Sequence, residues 1–280
     1  SGIRKFFDIV SEMPHAISLG VGEPDFDTPW HVRSEGIRSL EKGRTFYTSN
    51  SGLIELRQEI CKWYQRKYNV LYDYKTEALL TVGGSEGIDV ALRAMLDPGD
   101  EVIIPEPCYV SYVPCVQLIG AVPVTIELKN ENQFRLTSEE LLAAITDKTK
   151  ILILAFPSNP TGAVMTKEDL EPIAKICQEK DIYVISDEIY SELTYGGQKH
   201  CSISSLPGMK ERTIVINGFS KAYAMTGWRL GYALAPEVIA HQMTKIHQFA
   251  IMCAPTTSQY AAIEAIKNGD ADIEKMCKSY

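Results

Sequence analysis

An α/β fold with a mixed, mostly parallel sheet is the architecture this 280-residue sequence predicts, on three observations. Short β-rich runs alternate with helical patterns along most of the chain, the signature of βαβ units. One run, Ile151-Leu152-Ile153-Leu154, is apolar at consecutive positions, as a strand covered on both faces requires. The last two runs are only about a dozen residues apart, short for a parallel crossover, so one antiparallel strand is expected there.

Taken in order, the strands are read at Leu79–Val82, Val102–Ile104, Val122–Leu128, Ile151–Phe156, Ile182–Ser186, Thr213–Asn217 and Leu230–Ala235. Between the first two, Ile88, Ala91, Leu92 and Met95 recur at i, i+3, i+4, i+7 and predict a helix, closed by the breaker Asp97-Pro98-Gly99-Asp100. Leu170, Ile173, Ala174 and Cys177 repeat that spacing after Thr166-x-x-Asp169, which reads as a capping-box start. No internal repeat, low-complexity segment or linker interrupts the alternation.

Composition narrows the partners. Hydrophobic residues at 45% and charged residues at 23% are ordinary for a soluble globular chain. The net charge of −8, without basic runs, lacks the footprint of a nucleic-acid or anionic-membrane binder. No apolar stretch approaches the ~18 residues that span a bilayer, and Ser1 to Val10 has no secretory pattern. The seven cysteines are scattered, form no C-x-x-C and have no zinc-spaced histidine pair, so reduced thiols in a cytoplasmic protein without a metal site are expected.

Open α/β sheets bind ligands beyond the carboxyl ends of their strands. After the first strand stands Gly83-Gly84-Ser85-Glu86-Gly87, where glycines admit close backbone approach and a helix N-terminus offers free N–H groups. A phosphate suits it, and a plain tight turn accounts for it equally well. Pro157-Ser158-Asn159-Pro160-Thr161-Gly162 follows the fourth strand and reads either as a turn or as an amide aimed into the crevice. Asp187, ending the fifth, needs a donor or cation if buried, although helix capping is the commoner role. After the sixth, Lys221 lies between apolar segments, where desolvation favours the neutral amine that forms Schiff bases. Arg229, eight residues on, suits a phosphate. Together these describe a pyridoxal-phosphate pocket.

Gly218-Phe219-Ser220-Lys221-x-x-Ala224-Met225-x-Gly227-x-Arg229-Leu230-Gly231 resembles the cofactor-lysine signature of the class I aminotransferases, fold-type I pyridoxal-phosphate enzymes of the aspartate/aromatic kind. Ser158-Asn159-Pro160-Thr161-Gly162 and Ser186-Asp187-Glu188-Ile189-Tyr190 resemble the other signature loops, and Leu19-Gly20-Val21-Gly22-Glu23-Pro24-Asp25-Phe26 resembles the N-terminal substrate loop. The resemblance implies an α/β/α sandwich and assigns roles. Lys221 carries pyridoxal 5'-phosphate as a Schiff base and shuttles the proton; Asp187 pairs with the pyridine nitrogen; Tyr190 and Asn159 bond the phenolic oxygen. Tyr109 stacks on the ring, and Gly84, Ser85 and Glu86 form the phosphate cradle with Arg229 as charge partner. Gly22, Tyr109 and Asn159 face substrate. Tyr47 reaches the neighbouring subunit's phosphate, which implies a homodimer. The reaction implied is amino transfer between an L-α-amino acid and a 2-oxo acid, within amino-acid biosynthesis.

The same resemblance divides the chain into an N-terminal segment (1–45) that joins the small domain, a large cofactor-binding domain (46–268) and the start of a connection (269–280). Roughly 100 residues of C-terminal small domain, with the arginine for the substrate carboxylate, are expected to be missing. Gly218 stands where many relatives have a phosphate-binding serine. A Cβ–S lyase of the same fold, or a truncated non-catalytic cofactor-binding module, shares these motifs. Tyr109 and Trp30 suit aromatic donors, and packing explains them equally well.

Overall fold

The computed structural model describes residues 22–280 together with residues 9, 10, 12, 13, 15 and 17. Leu19 to Val21 of the expected substrate loop, and much of the 1–45 segment, lie outside the described residues.

All seven expected strands form: β1 (Ala78–Thr81), β2 (Glu101–Glu106), β3 (Val122–Glu127), β4 (Thr149–Ala155), β5 (Tyr183–Asp187), β6 (Thr213–Gly218) and β7 (Gly231–Leu234). They make one sheet in the order β1-β7-β6-β5-β4-β2-β3. The ladders from β3 to β6 are parallel, while β7 is antiparallel to both β6 and β1. The short connection before β7 therefore does what its length predicts. Because β7 opposes both neighbours, β1 points the same way as β6. The carboxyl ends of β1, β4, β5 and β6 then share one edge, and Thr81 and Gly218 both register with Gly231.

Helices cover both faces. They are α1 (Trp30–Glu41), α2 (Ile54–Tyr68), α3 (Gly83–Met95), α4 (Tyr112–Leu118), α5 (Ser138–Ala144), α6 (Lys167–Glu179), α7 (Glu237–Ala250), α8 (Thr256–Asn268) and α9 (Asp270–Ser279). The consecutive apolar run in β4 splits as the period of two demands. Ile151 and Ile153 pack with Ile88 and Leu92 of α3 and Met243 of α7, whereas Leu152 and Leu154 pack with Leu170 and Ile173 of α6. Each such fully buried side chain contributes about 1.5–3 kcal/mol relative to exposure. Helix α6 starts with the reciprocal capping box read from the sequence, between Thr166 and Asp169. No helix among the described residues is long and apolar enough to cross a membrane.

Candidate active site

At the end of β1 the backbone turns through Val82 into α3, and Gly83 has φ +74°, a conformation that side-chain-bearing residues rarely adopt. A Cβ on Gly83 would lie 2.7 Å from Nη2 of Arg229. A Cβ on Gly231 would lie 2.7 Å from both C of Gly83 and N of Gly84. Two glycines thus let the Arg229 guanidinium and the N-terminus of α3 converge, where the N–H groups of Gly83, Gly84 and Ser85 have no intrahelical acceptor. Arg229 also donates from Nη1 to the Thr226 carbonyl at 3.0 Å. Its loop is tied down by Trp228, whose indole donates to Thr28 at 3.0 Å, and by Thr28, which donates to the Ala224 carbonyl at 2.6 Å. The Glu86 carboxylate is otherwise engaged: it accepts from the Val82 N–H at 2.5 Å and from Nδ1 of His247 at 2.7 Å.

Asp187 ends β5 with its carboxylate buried. Tyr112 donates to its Oδ2 at 2.8 Å, and the Ile189 N–H donates to its Oδ1 at 3.1 Å. The latter bond closes a turn and no helix follows β5, which corrects the reading of Asp187 as a helix cap. Burial raises the Asp187 pKa against the two hydrogen bonds that lower it, and the neighbouring Glu188 charge adds to the rise. None of these groups is a cation. Glu188 is itself fully buried and accepts from Tyr64, Ser186 and Ser202 at 3.0, 3.0 and 2.6 Å.

Beyond β6, Lys221 is half-buried. Desolvation is the main reason its amine is held below the ordinary lysine pKa; Arg229 acts the same way, and Glu23 and Tyr109 oppose it. Its Nζ donates to the Gly22 carbonyl and lies 5.7 Å from the centroid of the Tyr190 ring. Burial raises the Tyr190 phenol and the Asp187 charge adds to the rise, while the nearby Asn159 amide from the loop after β4 opposes it. Tyr109 packs edge-on against Tyr112, with ring centroids 5.6 Å apart.

Lys221, Tyr190, Asn159, Tyr109 and Arg229 therefore stand in the loops at one edge of the sheet, Asp187 at the end of β5, Gly84, Ser85 and Glu86 in the first turn of α3, and Gly22 in a segment docked on Lys221. Tyr47 differs: its ring stands on the surface, 80% exposed. Tyr112 and His247, which no sequence motif marks, reach the site by contacts 75 and 161 residues apart in sequence.

Residues 14–279 match the family described as aminotransferase class I and II. The chain belongs to that family. Among its relatives, YugH of Bacillus subtilis, an aminotransferase by name, is 52% identical over the whole of this chain and 72% of its own length. The aspartate aminotransferase of Pyrococcus abyssi is 46% identical with the same coverage. The solved structure of aspartate aminotransferase from Thermus thermophilus with maleate superposes with a TM-score of 0.95 at 37% identity, covering 100% of this chain and 73% of that one. The chain spans about 72% of the length of these relatives; it is an α/β fold of fold-type I and a transaminase dependent on pyridoxal 5'-phosphate.

The residues present fit that cofactor. A glycine-floored helix terminus beside an arginine suits the phosphate, and a buried carboxylate whose own surroundings lack a cation suits a protonated pyridine nitrogen. A half-buried amine with a depressed pKa suits the aldehyde carbon. Three groups at one sheet edge are thus chemically complementary to three parts of one small molecule.

Proposed function

We infer that Lys221, Asp187 and the Arg229–α3 terminus are the catalytic and cofactor-holding groups of this aminotransferase, and that the site is completed by a second copy of the chain. The observation that carries the reading is the convergence of a half-buried lysine with a buried, cation-free aspartate on one sheet edge. When bound, pyridoxal phosphate supplies an aldehyde that condenses with amines and a ring that draws electron density from the substrate Cα. The chain's own part is positioning and proton traffic. Lys221 would hold the cofactor and, as a free neutral amine, take the Cα proton on Nζ and return it to the cofactor's C4′ carbon, two atoms along from Cα. Asp187, fixed by Tyr112 and the Ile189 N–H, keeps the pyridine nitrogen protonated. Asn159 and Tyr190, from the loops after β4 and β5, orient the phenolic oxygen, and Tyr109 covers the ring. The free N–H groups of Gly83, Gly84 and Ser85, in the turn that also carries Glu86, hold the phosphate together with Arg229. Gly22, Tyr109 and Asn159 border the amino acid.

Support for the homodimer comes from one surface. Phe46, Tyr47 and Phe249 are 81%, 80% and 87% exposed, and hydrogen bonds from Thr256 to the Phe46 carbonyl and from Asn50 to Gln248 join their segments. Such an apolar cluster suits a subunit interface, with Tyr47 reaching the phosphate of the partner. The division into 1–45, 46–268 and 269–280, cytoplasmic location and a biosynthetic role belong to the same reading. Relatives at 46% and 44% identity act, by their names, on aspartate and on aromatic amino acids, so identity alone selects neither donor for this chain.

The test is a screen of L-amino acids with 2-oxoglutarate, following the 2-oxo acid formed, for wild type and Lys221→Ala. Amino transfer lost in Lys221→Ala and equimolar with acceptor consumption supports the assignment. Release of ammonia and thiol from sulfur amino acids without acceptor consumption would instead indicate the lyase.

A further inference from the structure

The N-terminus of α3 already has an anion of its own. Glu86 sits in the first turn of the helix whose free N–H groups, on the reading above, receive the phosphate. A carboxylate there is favoured by the positive end of the helix dipole. It is therefore an internal competitor for the cofactor's dianionic group and repels it at short range. Something must keep that side chain away.

The structure shows what does. Oε2 of Glu86 accepts from the N–H of the N-cap residue Val82, leaving those of Gly83, Gly84 and Ser85 free, and Oε1 accepts from Nδ1 of His247 at 2.7 Å. An ionised carboxylate only accepts, so Nδ1 carries the proton. The His247 side chain is fully buried on α7, and its Nε2 has no hydrogen-bond partner. A buried imidazole with one nitrogen unsatisfied is costly. The bond to Glu86 is the polar interaction that the ring makes here. Packing of α7 on α3 fixes the ring, and the ring fixes the carboxylate.

We propose that His247 is a positioning residue for cofactor binding: it clamps Glu86 against Val82 and so keeps the N–H groups of Gly83, Gly84 and Ser85 open for the phosphate. The proposal rests on the phosphate site assigned above. Without the clamp, Glu86 is free to swing onto the helix terminus and occupy it.

The test compares affinities for pyridoxal phosphate and for pyridoxal, which lacks the phosphate, by fluorescence titration of the apoprotein. In wild type the phosphate compound binds more tightly; no preference would overturn the phosphate site itself and this proposal with it. With that preference present, His247→Asn weakens pyridoxal phosphate roughly tenfold and leaves pyridoxal nearly unchanged, and adding Glu86→Gln restores the preference. Equal loss for both ligands, or no rescue in the double variant, assigns His247 a merely structural role and overturns the proposal alone. If His247→Asn does not fold, Glu86→Gln alone decides. Its amide oxygen still accepts from Val82, and loss of the charge tightens pyridoxal phosphate roughly two- to fivefold over pyridoxal; a weaker preference than wild type overturns the proposal.

Discussion

Gly231→Ala is the substitution whose consequence the structure sets most tightly. The added methyl would meet C of Gly83 and N of Gly84 at 2.7 Å and the Asn217 carbonyl oxygen at 3.0 Å. All three are backbone atoms, and Gly231 is pinned in register between Gly218 and Thr81, so no flexible side chain can give way. Relief requires β7 or the turn into α3 to move. Overpacking at backbone with no escape lies at the upper end of its usual cost, about 3 kcal/mol. For a chain of this size that lowers the melting temperature by about 6–12 °C. The turn that moves carries the N–H groups proposed to hold the phosphate, so pyridoxal phosphate affinity falls roughly tenfold, about 1.4 kcal/mol. Thermal melts of the apoprotein and a fluorescence titration read the two effects. Gly227→Ala is the control, because nothing lies within 4 Å of a Cβ there. If Gly231→Ala melts like the Gly227→Ala control and binds the cofactor normally, the account of the cradle is wrong.

Three further outcomes follow from the site. Burial raises the Asp187 pKa, so its contribution to stability is complete below the ordinary carboxylate pKa and is lost as pH rises through the raised folded value. Asp187→Asn therefore gains on wild type in apoprotein melts as pH increases, while it loses cofactor; a constant gap across pH would contradict the buried, cation-free carboxylate. Tyr112→Phe removes one of two donors to that carboxylate, and loss of a hydrogen bond to a charged group, about 1.5 kcal/mol or more, weakens pyridoxal phosphate by at least roughly tenfold; unchanged affinity in a titration would show that the phenol does not hold Asp187 in place. Desolvation lowers the Lys221 pKa, so competitive acetylation of the apoprotein followed by peptide mass spectrometry finds Lys221 reacting at lower pH than the exposed Lys180, and the reverse order would place Lys221 in water.

What could be read in the sequence was what neighbouring residues decide. The seven strands were legible because each is a short apolar run, and the β4 run announced burial on both faces by carrying no polar alternate. The start of α6 was legible because Thr166 and Asp169 satisfy each other's backbone locally. Lys221, Asp187 and Arg229 stood out only as a set, since each alone has a commoner meaning. Asp187 as a helix cap could not be decided locally, because the same aspartate closes a turn when the chain after it does not coil. Tyr112 and His247 left no signal. One is an aromatic in a helix start and the other a lone histidine in an amphipathic helix, and each acquires its role from a carboxylate far away in sequence.

On the proposed function the Lys221 amine holds the cofactor at this sheet edge, and every other role depends on it. The most direct measurement is the visible absorption of the protein with added pyridoxal phosphate, followed by borohydride reduction and peptide mapping. A yellow band, with the reduced cofactor fixed on the peptide containing Lys221, is the predicted result. A folded protein that gives no band, or one that fixes the cofactor on surface lysines while Lys221 stays unmodified, would contradict it.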